Sequence, residues 1–228
     1  MKSCYRSLLA TASAIAALAS AASLNAVTVN FAFTVSGGDV TTVTKASSPT
    51  GLTATVTAWS TADNGANWTQ ESITQNGSYG MGVRTDSYDS HTVDNSSRKD
   101  FLLFSFGGTS VDVNSVTFGY VDGDSDFRWS VGNSNSLSSL FSSGTDVNGV
   151  SYDPVTFNIN AGNTLGQYLL IGAKPGDTND RFKVSGLNVS YSERSTNTPG
   201  VPDGGSTVIL MGSALAGLGL IARRRTAA

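Results

Sequence analysis

Residues 27–191 are predicted to form an all-β domain, an antiparallel β-sandwich of the jelly-roll type. Apolar and polar residues alternate in several stretches, as in residues 27–35, where valine and phenylalanine side chains fall on one face. Turn sequences rich in glycine, asparagine and aspartate divide the region into about ten strand-length segments, at the spacing typical of sandwiches. Between the two termini, no stretch has a convincing helical period.

The N-terminal residues 1–26 have the pattern of a secretory signal peptide. Lys2 and Arg6 precede an apolar run at residues 8–22, and small residues at 20–26 offer several cleavage points. The run is short and rich in alanine, so an uncleaved membrane anchor is the less favoured alternative. The protein is therefore expected to be exported.

Each predicted strand is marked either by alternating apolar and polar residues or by a short apolar run between turn residues. In order they are residues 27–35, 40–45, 52–59, 68–74, 79–83, 101–106, 111–121, 152–159, 167–173 and 182–191. Residues 79–83 contain two glycines and are expected to form a bulged strand or a close approach between backbones. A polar loop at 133–144 is expected to hold one short turn around residues 137–141.

Composition excludes several classes of function. Residues 27–200 carry 9 basic and 16 acidic side chains, a net charge of −7, and form no basic patch. Nucleic acid is therefore not an expected partner, whereas an acidic surface is compatible with divalent cations. The sole cysteine, Cys4, lies in the leader, so the exported part has no disulfide, thiolate metal site or cysteine nucleophile.

An acidic run between a predicted strand and the aromatic pair Phe127 and Trp129 is the candidate metal site. Asp122, Asp124 and Asp126 alternate along the chain, and Asp94 is a fourth candidate ligand. Oxygen ligands of this kind suit Ca²⁺, with Asn95 or Asp100 as further completions. The alternative is a solvated loop whose short carboxylates cap their own backbone.

No catalytic residue is assigned. His91 is the sole histidine, no Gly-x-Ser-x-Gly elbow occurs, and the glutamates are limited to Glu71 and Glu193. A hydrolase would need a cleft that joins His91 or Glu71 to a second carboxylate. We expect His91 instead to hold its loop through a hydrogen bond to Asp94 or to the backbone.

Aromatic side chains are the other candidate binding groups. Several of them together could stack on sugar rings if they shared an exposed face, although aromatic residues at strand spacing usually belong to a core. The six are Trp59, Trp68, Tyr79, Tyr88, Tyr120 and Trp129.

The C-terminal region combines a polar linker, a short turn motif, an apolar stretch and a basic end. The linker covers residues 192–200, the motif Val201-Pro202-Asp203-Gly204-Gly205 follows, residues 206–222 are largely apolar, and Arg223, Arg224 and Arg225 precede the end at 228. The apolar stretch is long enough for a short membrane-spanning helix, and the arginines should stay cytoplasmic. An ordinary C-terminal membrane anchor would give the same pattern.

This tail resembles a PEP-CTERM sorting signal, in its V-P-D-x-G variant, with a Gly-Leu-Gly-Leu sequence before the arginines. The resemblance implies processing by an exosortase-type membrane enzyme in a Gram-negative bacterium. It implies transient residence in the inner membrane, then delivery to the cell surface or the extracellular matrix, where polysaccharide is the associated partner.

The stretch 91–129 is similar to a domain that recurs in exosortase-dependent surface proteins, and this resemblance brings no enzymatic activity with it. The matching elements are His-x-x-Asp-Asn at 91–95, an apolar run at 101–106, and Gly-Asp-Ser-Asp at 123–126. The cysteine pair that many relatives carry is absent. We therefore expect an exported, non-enzymatic structural or adhesive protein. The alternatives are a calcium-dependent carbohydrate-binding module and, third, a polysaccharide hydrolase.

Overall fold

The computed structural model describes residues 24–160 and 162–194. The predicted signal peptide, most of the linker, the sorting motif and the apolar stretch 206–222 lie outside these residues. Within the described part of the chain, no helix has the length and apolar character needed to cross a membrane.

The described residues contain fifteen strands and one short helix. In chain order they are β1 (Leu24–Ala32), β2 (Asp39–Val40), β3 (Thr42–Ala46), β4 (Thr53–Thr61), β5 (Thr69–Asn76), β6 (Gly80–Arg84), β7 (Val93–Asp94), β8 (Lys99–Ser105), β9 (Val111–Val121), β10 (Ser125–Gly132), α1 (Leu137–Ser142), β11 (Thr145–Val150), β12 (Val155–Asn158), β13 (Leu165–Gly166), β14 (Tyr168–Ala173) and β15 (Arg181–Arg194).

The strands form one nearly closed antiparallel sheet, so the predicted all-β, antiparallel class is confirmed. The main order is β11-β10-β14-β8-β4-β5-β6-β15-β9-β12. Strand β5 joins two arms, because its first residues pair with β4 and its later residues pair with β6. We call β3, β4, β8, β14, β10 and β11 the β8 arm. We call β6, β15, β9 and β12, with the short β1, β7 and β13, the β15 arm.

The core lies where side chains of the two arms meet. Phe118 of β9 and Phe182 of β15 contact Phe127 of β10, with ring centroids 5.0 Å and 6.4 Å from Phe127. The three rings are at most 1% exposed. Edge-to-face contacts of this kind add about 0.5–1.5 kcal/mol each beyond the burial of area. Alternation along the strands supplies these inward residues, as sequence reasoning predicts.

A second apolar cluster covers the outer face of the β8 arm. Phe101 and Leu103 of β8 point to this face, whereas Leu102 and Phe104 point to the core. Helix α1 covers the outer residues with Phe141, whose ring is 5.6 Å from that of Phe101. The run at 101–104 is therefore apolar on both faces because both faces of β8 are buried. The predicted short turn around 137–141 is the helix α1.

Two glycines in β6 permit close backbone approach, as predicted for residues 79–83. A Cβ on Gly82 would collide with the carbonyl oxygen of His91, and a Cβ on Gly80 would collide with that of Val184. Gly80 also has a φ of +94°, which disfavours any other residue. These glycines let β6 lie close to both the His91 loop and β15.

Two sequence predictions for residues 145–159 were wrong in detail. Strand β11 was not predicted, and the strand predicted at 152–159 is limited to β12. Most residues of β11 are exposed or half-buried, and the strand pairs only with β10. An edge strand of this kind buries no continuous apolar face, so its sequence lacks the alternation on which the prediction depends.

Candidate functional site

The acidic run lies at the turn between β9 and β10, but its carboxylates do not converge. Asp122 and Asp124 are exposed in the turn, and Asp122 has an oxygen 3.7 Å from the Arg181 guanidinium. Asp126 is already in β10, where it accepts hydrogen bonds from Lys174 Nζ at 2.8 Å and from the Gly149 backbone N–H at 2.7 Å. The negative charge of Asp126 is thus paired with a lysine.

Asp94 belongs to a separate group of hydrogen bonds in β7. Its Oδ1 accepts from the backbone N–H and the hydroxyl of Ser96, and its Oδ2 accepts from the hydroxyls of Ser90 and Thr92. Among the described residues, no three His, Cys, Asp or Glu side chains are grouped so that they could hold a metal ion. Calcium binding by Asp122, Asp124, Asp126 and Asp94 stays a prediction.

Asn95 and Asp180 connect the loop after β7 to the start of β15. The Asn95 amide donates to Asp180 Oδ2 at 2.5 Å and to the Lys174 carbonyl at 2.9 Å, and the Asp180 N–H donates back to Asn95 Oδ1 at 3.1 Å. Asp180 Oδ1 accepts from the Asp126 N–H at 2.7 Å. Both side chains are buried, so this group fixes the loop that follows Asp94.

A polar cavity of about 270 Å³ opens beside this loop, and it is the candidate site. It lies between β8 of one arm and β7 and β15 of the other. Its lining has one aromatic residue, Tyr88, and six charged residues, which are Asp86, Asp89, Asp94, Asp100, Arg98 and Arg181. Strand pairing brings two of these residues together, because Asp94 of β7 lies directly opposite Arg181 of β15.

Asp100 is the most deeply buried carboxyl group in the cavity lining. It precedes Leu102 and Phe104 on the inward face of β8, and it is 1% exposed. Its Oδ1 has no hydrogen-bond partner within the described part of the chain. Burial raises the pKa of Asp100 well above its usual range, and the nearby Asp94 and Asp89 carboxylates raise it further.

Two buried carboxyls should make stability fall as pH rises. Burial raises the pKa of Asp180 to about 6, and the pKa of Asp100 is also raised. A raised folded-state pKa contributes stability that is complete below the unfolded pKa of about 4 and is lost as pH rises through the folded value. Asp180 alone should therefore lower the free energy of unfolding in urea by about 3 kcal/mol between pH 4 and pH 7, and Asp100 should add to this fall.

The Asp100→Asn variant should show a shallower fall over the same pH range, because one of the two titrating carboxyls is removed. Asn148→Ala, at an exposed position without a titratable group, is the control, and it should reproduce the wild-type slope. A free energy of unfolding that stays flat or rises between these pH values would contradict the assignment.

The hydrogen bond found at His91 is made by its own backbone N–H to a side chain, so it is not the predicted bond to Asp94 or to the backbone. His91 has a φ of +59°, and its N–H donates to Asp89 Oδ1 at 3.3 Å. Glu71, the other residue considered for catalysis, accepts a hydrogen bond from the Ser60 hydroxyl at 2.5 Å and lies 4.0 Å from Arg98. Neither residue lines the cavity.

The six candidate aromatic residues do not form one exposed platform. The tryptophans are half-buried, with Trp59 and Trp68 in the outer cluster and Trp129 against the core. The rings of Tyr79 and Tyr120 meet edge to face at 5.7 Å. Tyr88 differs, because it is 96% exposed and stands at the cavity.

Sequence reasoning singled out Asp94 as a calcium ligand and as a partner of His91, and Asp100 as a further calcium ligand. It did not single out Arg98 or Arg181. One signal was available for Asp100, since a carboxyl at an inward position of an apolar strand predicts an unusual environment. No local signal marks Arg181, because its place beside Asp94 depends on the pairing of β7 with β15.

Comparison with known proteins gives one distant structural similarity. A rhamnosidase from Klebsiella oxytoca, solved with rhamnose bound, is 12% identical, with a TM-score of 0.39 over 76% of this chain. The chain spans about 30% of that protein's length. No curated protein matches the sequence.

Residues 200–225 match the VPDSG-CTERM motif. The match covers the predicted Val201–Gly205 turn, the apolar stretch and the three arginines, so the suspected variant is confirmed. The chain thus carries a VPDSG-CTERM motif, a PEP-CTERM-like C-terminal sorting signal.

Proposed function

We propose that the protein is exported and processed by an exosortase-type enzyme, and that it reaches the cell surface or extracellular matrix of a Gram-negative bacterium. There it serves as a non-enzymatic structural or adhesive component, with polysaccharide as its associated partner. The observation that carries this proposal is the sorting motif at residues 200–225.

The order of segments supports this route. The apolar run at 8–22 directs export, and the stretch 206–222 then spans the inner membrane for a time. Arg223, Arg224 and Arg225 hold the end of the chain on the cytoplasmic side. The motif at 201–205 is then presented on the opposite side of the membrane, next to the linker that precedes it.

The β domain is the displayed part. Residues 25–193 form one compact unit with a continuous apolar core. We propose that the β8 arm and the β15 arm are the two layers of a jelly-roll-like sandwich.

A binding role fits the polar groups better than a catalytic one. Both oxygens of Asp94 accept hydrogen bonds from serine and threonine donors, so both are already engaged within the protein. Glu71 is held by Ser60 near Arg98 and lies outside the cavity. A carbohydrate-binding role is the second candidate, and the cavity at Asp100 is the observation that favours it.

Sorting can be tested on cells with variants of the motif. Pro202→Ala, and separately the deletion of Arg223–Arg225, should leave most of the protein in the membrane fraction, inaccessible to protease added to intact cells. Pro199→Ala is the matched control, because this proline lies just outside residues 200–225. Surface delivery that is unchanged in both motif variants would overturn the proposal.

A further inference from the structure

The outer face of the β15 arm is the face opposite the core side chains Val113, Phe118 and Val189. It presents uncharged hydroxyl and amide side chains from four neighbouring strands, which are Thr28 and Asn30 of β1, Asn188 and Ser190 of β15, Asn114 and Thr117 of β9, and Thr156 of β12. The outer face of the β8 arm is instead apolar and is covered by helix α1. The two arms therefore differ in what they offer to a partner.

Side-chain hydrogen bonds hold these polar groups in place across the strands. The Asn114 amide donates to Asn188 Oδ1 at 2.7 Å, and the Asn188 amide donates to Asn30 Oδ1 at 2.7 Å. The Asn114 amide also donates to the Ser190 hydroxyl at 2.8 Å, and that hydroxyl is 2.9 Å from the hydroxyl of Thr28. Side chains that are already fixed lose little rotamer freedom when they bind a ligand, which lowers the cost of binding.

The same hydrogen bonds leave both donor and acceptor atoms for a ligand. Asn30 uses its side-chain oxygen and Asn114 uses its amide nitrogen, so the Asn30 nitrogen and the Asn114 oxygen have no partner among the described residues. Asn30 is exposed and Asn114 is half-buried, so a molecule that lies on the face can reach both residues. A hydroxyl group donates and accepts, and it can therefore bond to either atom. A hydroxyl-rich ligand fits this mixture of groups.

An aromatic pair stands at one end of the face. Tyr120 of β9 is half-buried, and the ring of Tyr79 meets it edge to face at 5.7 Å. Close approach at Gly119 brings the turn that carries Tyr79 against β9, because a Cβ on Gly119 would lie 2.6 Å from the Tyr79 carbonyl oxygen. The Tyr79 side chain is 44% exposed. Its ring can therefore pack on the apolar face of a sugar, beside polar groups that bind the hydroxyls.

Charge and length narrow the class of ligand. Residues 27–200 carry 16 acidic and 9 basic side chains, yet the hydroxyl and amide groups that define this face are uncharged. At its ends, Asp112 accepts a hydrogen bond from the Asn160 amide at 2.6 Å, and Lys183 is only 9% exposed. The face therefore suits a neutral ligand. From Asn114 to Tyr120 it runs for about 20 Å along β9, which is long enough for several sugar rings.

We infer that the outer face of the β15 arm binds an extended chain of neutral polysaccharide, without a metal ion. The asparagine, serine and threonine side chains bond to sugar hydroxyls, and Tyr79 packs on one ring. The inference rests on the proposed function, because surface delivery is what brings the β domain to polysaccharide. It assigns binding to this face and not to the cavity beside Asp100.

The test uses the full chain in a zwitterionic detergent, because sugar-based detergents would compete for the face. The probe is the extracellular polysaccharide of the cells that produce the protein, divided by anion exchange into a neutral and an acidic fraction. Native gels that contain the neutral fraction should retard the chain more than gels with an equal mass of the acidic fraction. The retardation should persist in chelator and change by less than about twofold between about 0.05 M and 0.5 M NaCl, because binding involves no charge pair.

Two variants, each with a matched control, locate the binding. Tyr79→Ala should weaken binding about tenfold, whereas Tyr88→Ala, which removes the exposed ring at the cavity, should bind as the wild type does. Asn30→Asp keeps the acceptor for the Asn188 amide but replaces the free donor with a charge, so it should also weaken binding about tenfold. Asn148→Asp makes the same change at an exposed position of β11 and should have no effect. All four substituted side chains are exposed, so each variant should fold.

The inference is overturned if neither fraction retards the chain, if only the acidic fraction does, or if binding requires added calcium. Binding that survives both Tyr79→Ala and Asn30→Asp would also overturn it, and a loss with Tyr88→Ala alone would assign binding to the cavity. Self-association of the free chain that Asn30→Asp abolishes would assign the face to a second copy of the protein instead. Surface delivery is measured separately on cells, so loss of the polysaccharide site would leave the sorting proposal standing.

Discussion

Phe127→Ala is expected to destabilise the β domain by about 3–5 kcal/mol, the largest effect of any single substitution proposed for this protein. The ring of Phe127 is fully buried and joins the two arms. Its centroid is 5.0 Å from Phe118 on β9, 5.4 Å from Phe157 on β12, and 6.4 Å from Phe182 on β15. Truncation removes these contacts and leaves a cavity that rigid strands on both sides cannot fill.

Urea unfolding of wild type and variant measures this loss. Tyr152→Ala is the control, because it removes an aromatic ring that is 85% exposed, and it should change the free energy of unfolding by less than about 0.5 kcal/mol. A loss below about 1 kcal/mol for Phe127→Ala would mean that the arms are not held together by this aromatic group.

Asn95→Ala is expected to cost about 3 kcal/mol, although it removes only a small polar side chain. The substitution leaves the Asp180 carboxylate, the Asp180 N–H and the Lys174 carbonyl without the partner that Asn95 provides. Asp180 is 2% exposed, so water does not readily replace the lost donor. The same change should loosen the loop that follows Asp94.

The matched control is Asn148→Ala, at an exposed asparagine of β11. Its free energy of unfolding should stay within about 0.5 kcal/mol of the wild type. Equal stability of the two variants would show that the Asn95–Asp180 hydrogen bonds contribute little.

The fold class could be predicted because burial on one face imposes a period of two. In β4, the buried Ala54, Val56 and Ala58 alternate with half-buried residues, and the sequence alone shows this pattern. β11 could not be predicted, because an edge strand with mostly exposed residues has no such constraint. The run at 101–104 was recognised as core, but its second buried face depends on helix α1, which contacts it only in the folded chain.

Sequence reasoning singled out several aspartates but could not predict which of them the fold brings together. Asp122, Asp124 and Asp126 are close in sequence. Asp126 nevertheless forms an ion pair with Lys174, because the pairing of β10 with β14 places the two residues side by side. Asp94 and Asp100 do share a cavity, but its guanidinium groups come from Arg98 and from Arg181 on β15. These contacts follow from strand pairing across long sequence separations, which no local pattern encodes.

The intact mass of the protein recovered from the surface of cells tests most directly whether the motif at 200–225 is a processed sorting signal. The predicted mass is that of a chain that begins after the leader and ends near Val201–Gly205, without the apolar stretch and the three arginines. A surface-recovered mass that still includes Arg223–Arg225 would contradict processing, and it would favour an ordinary membrane anchor.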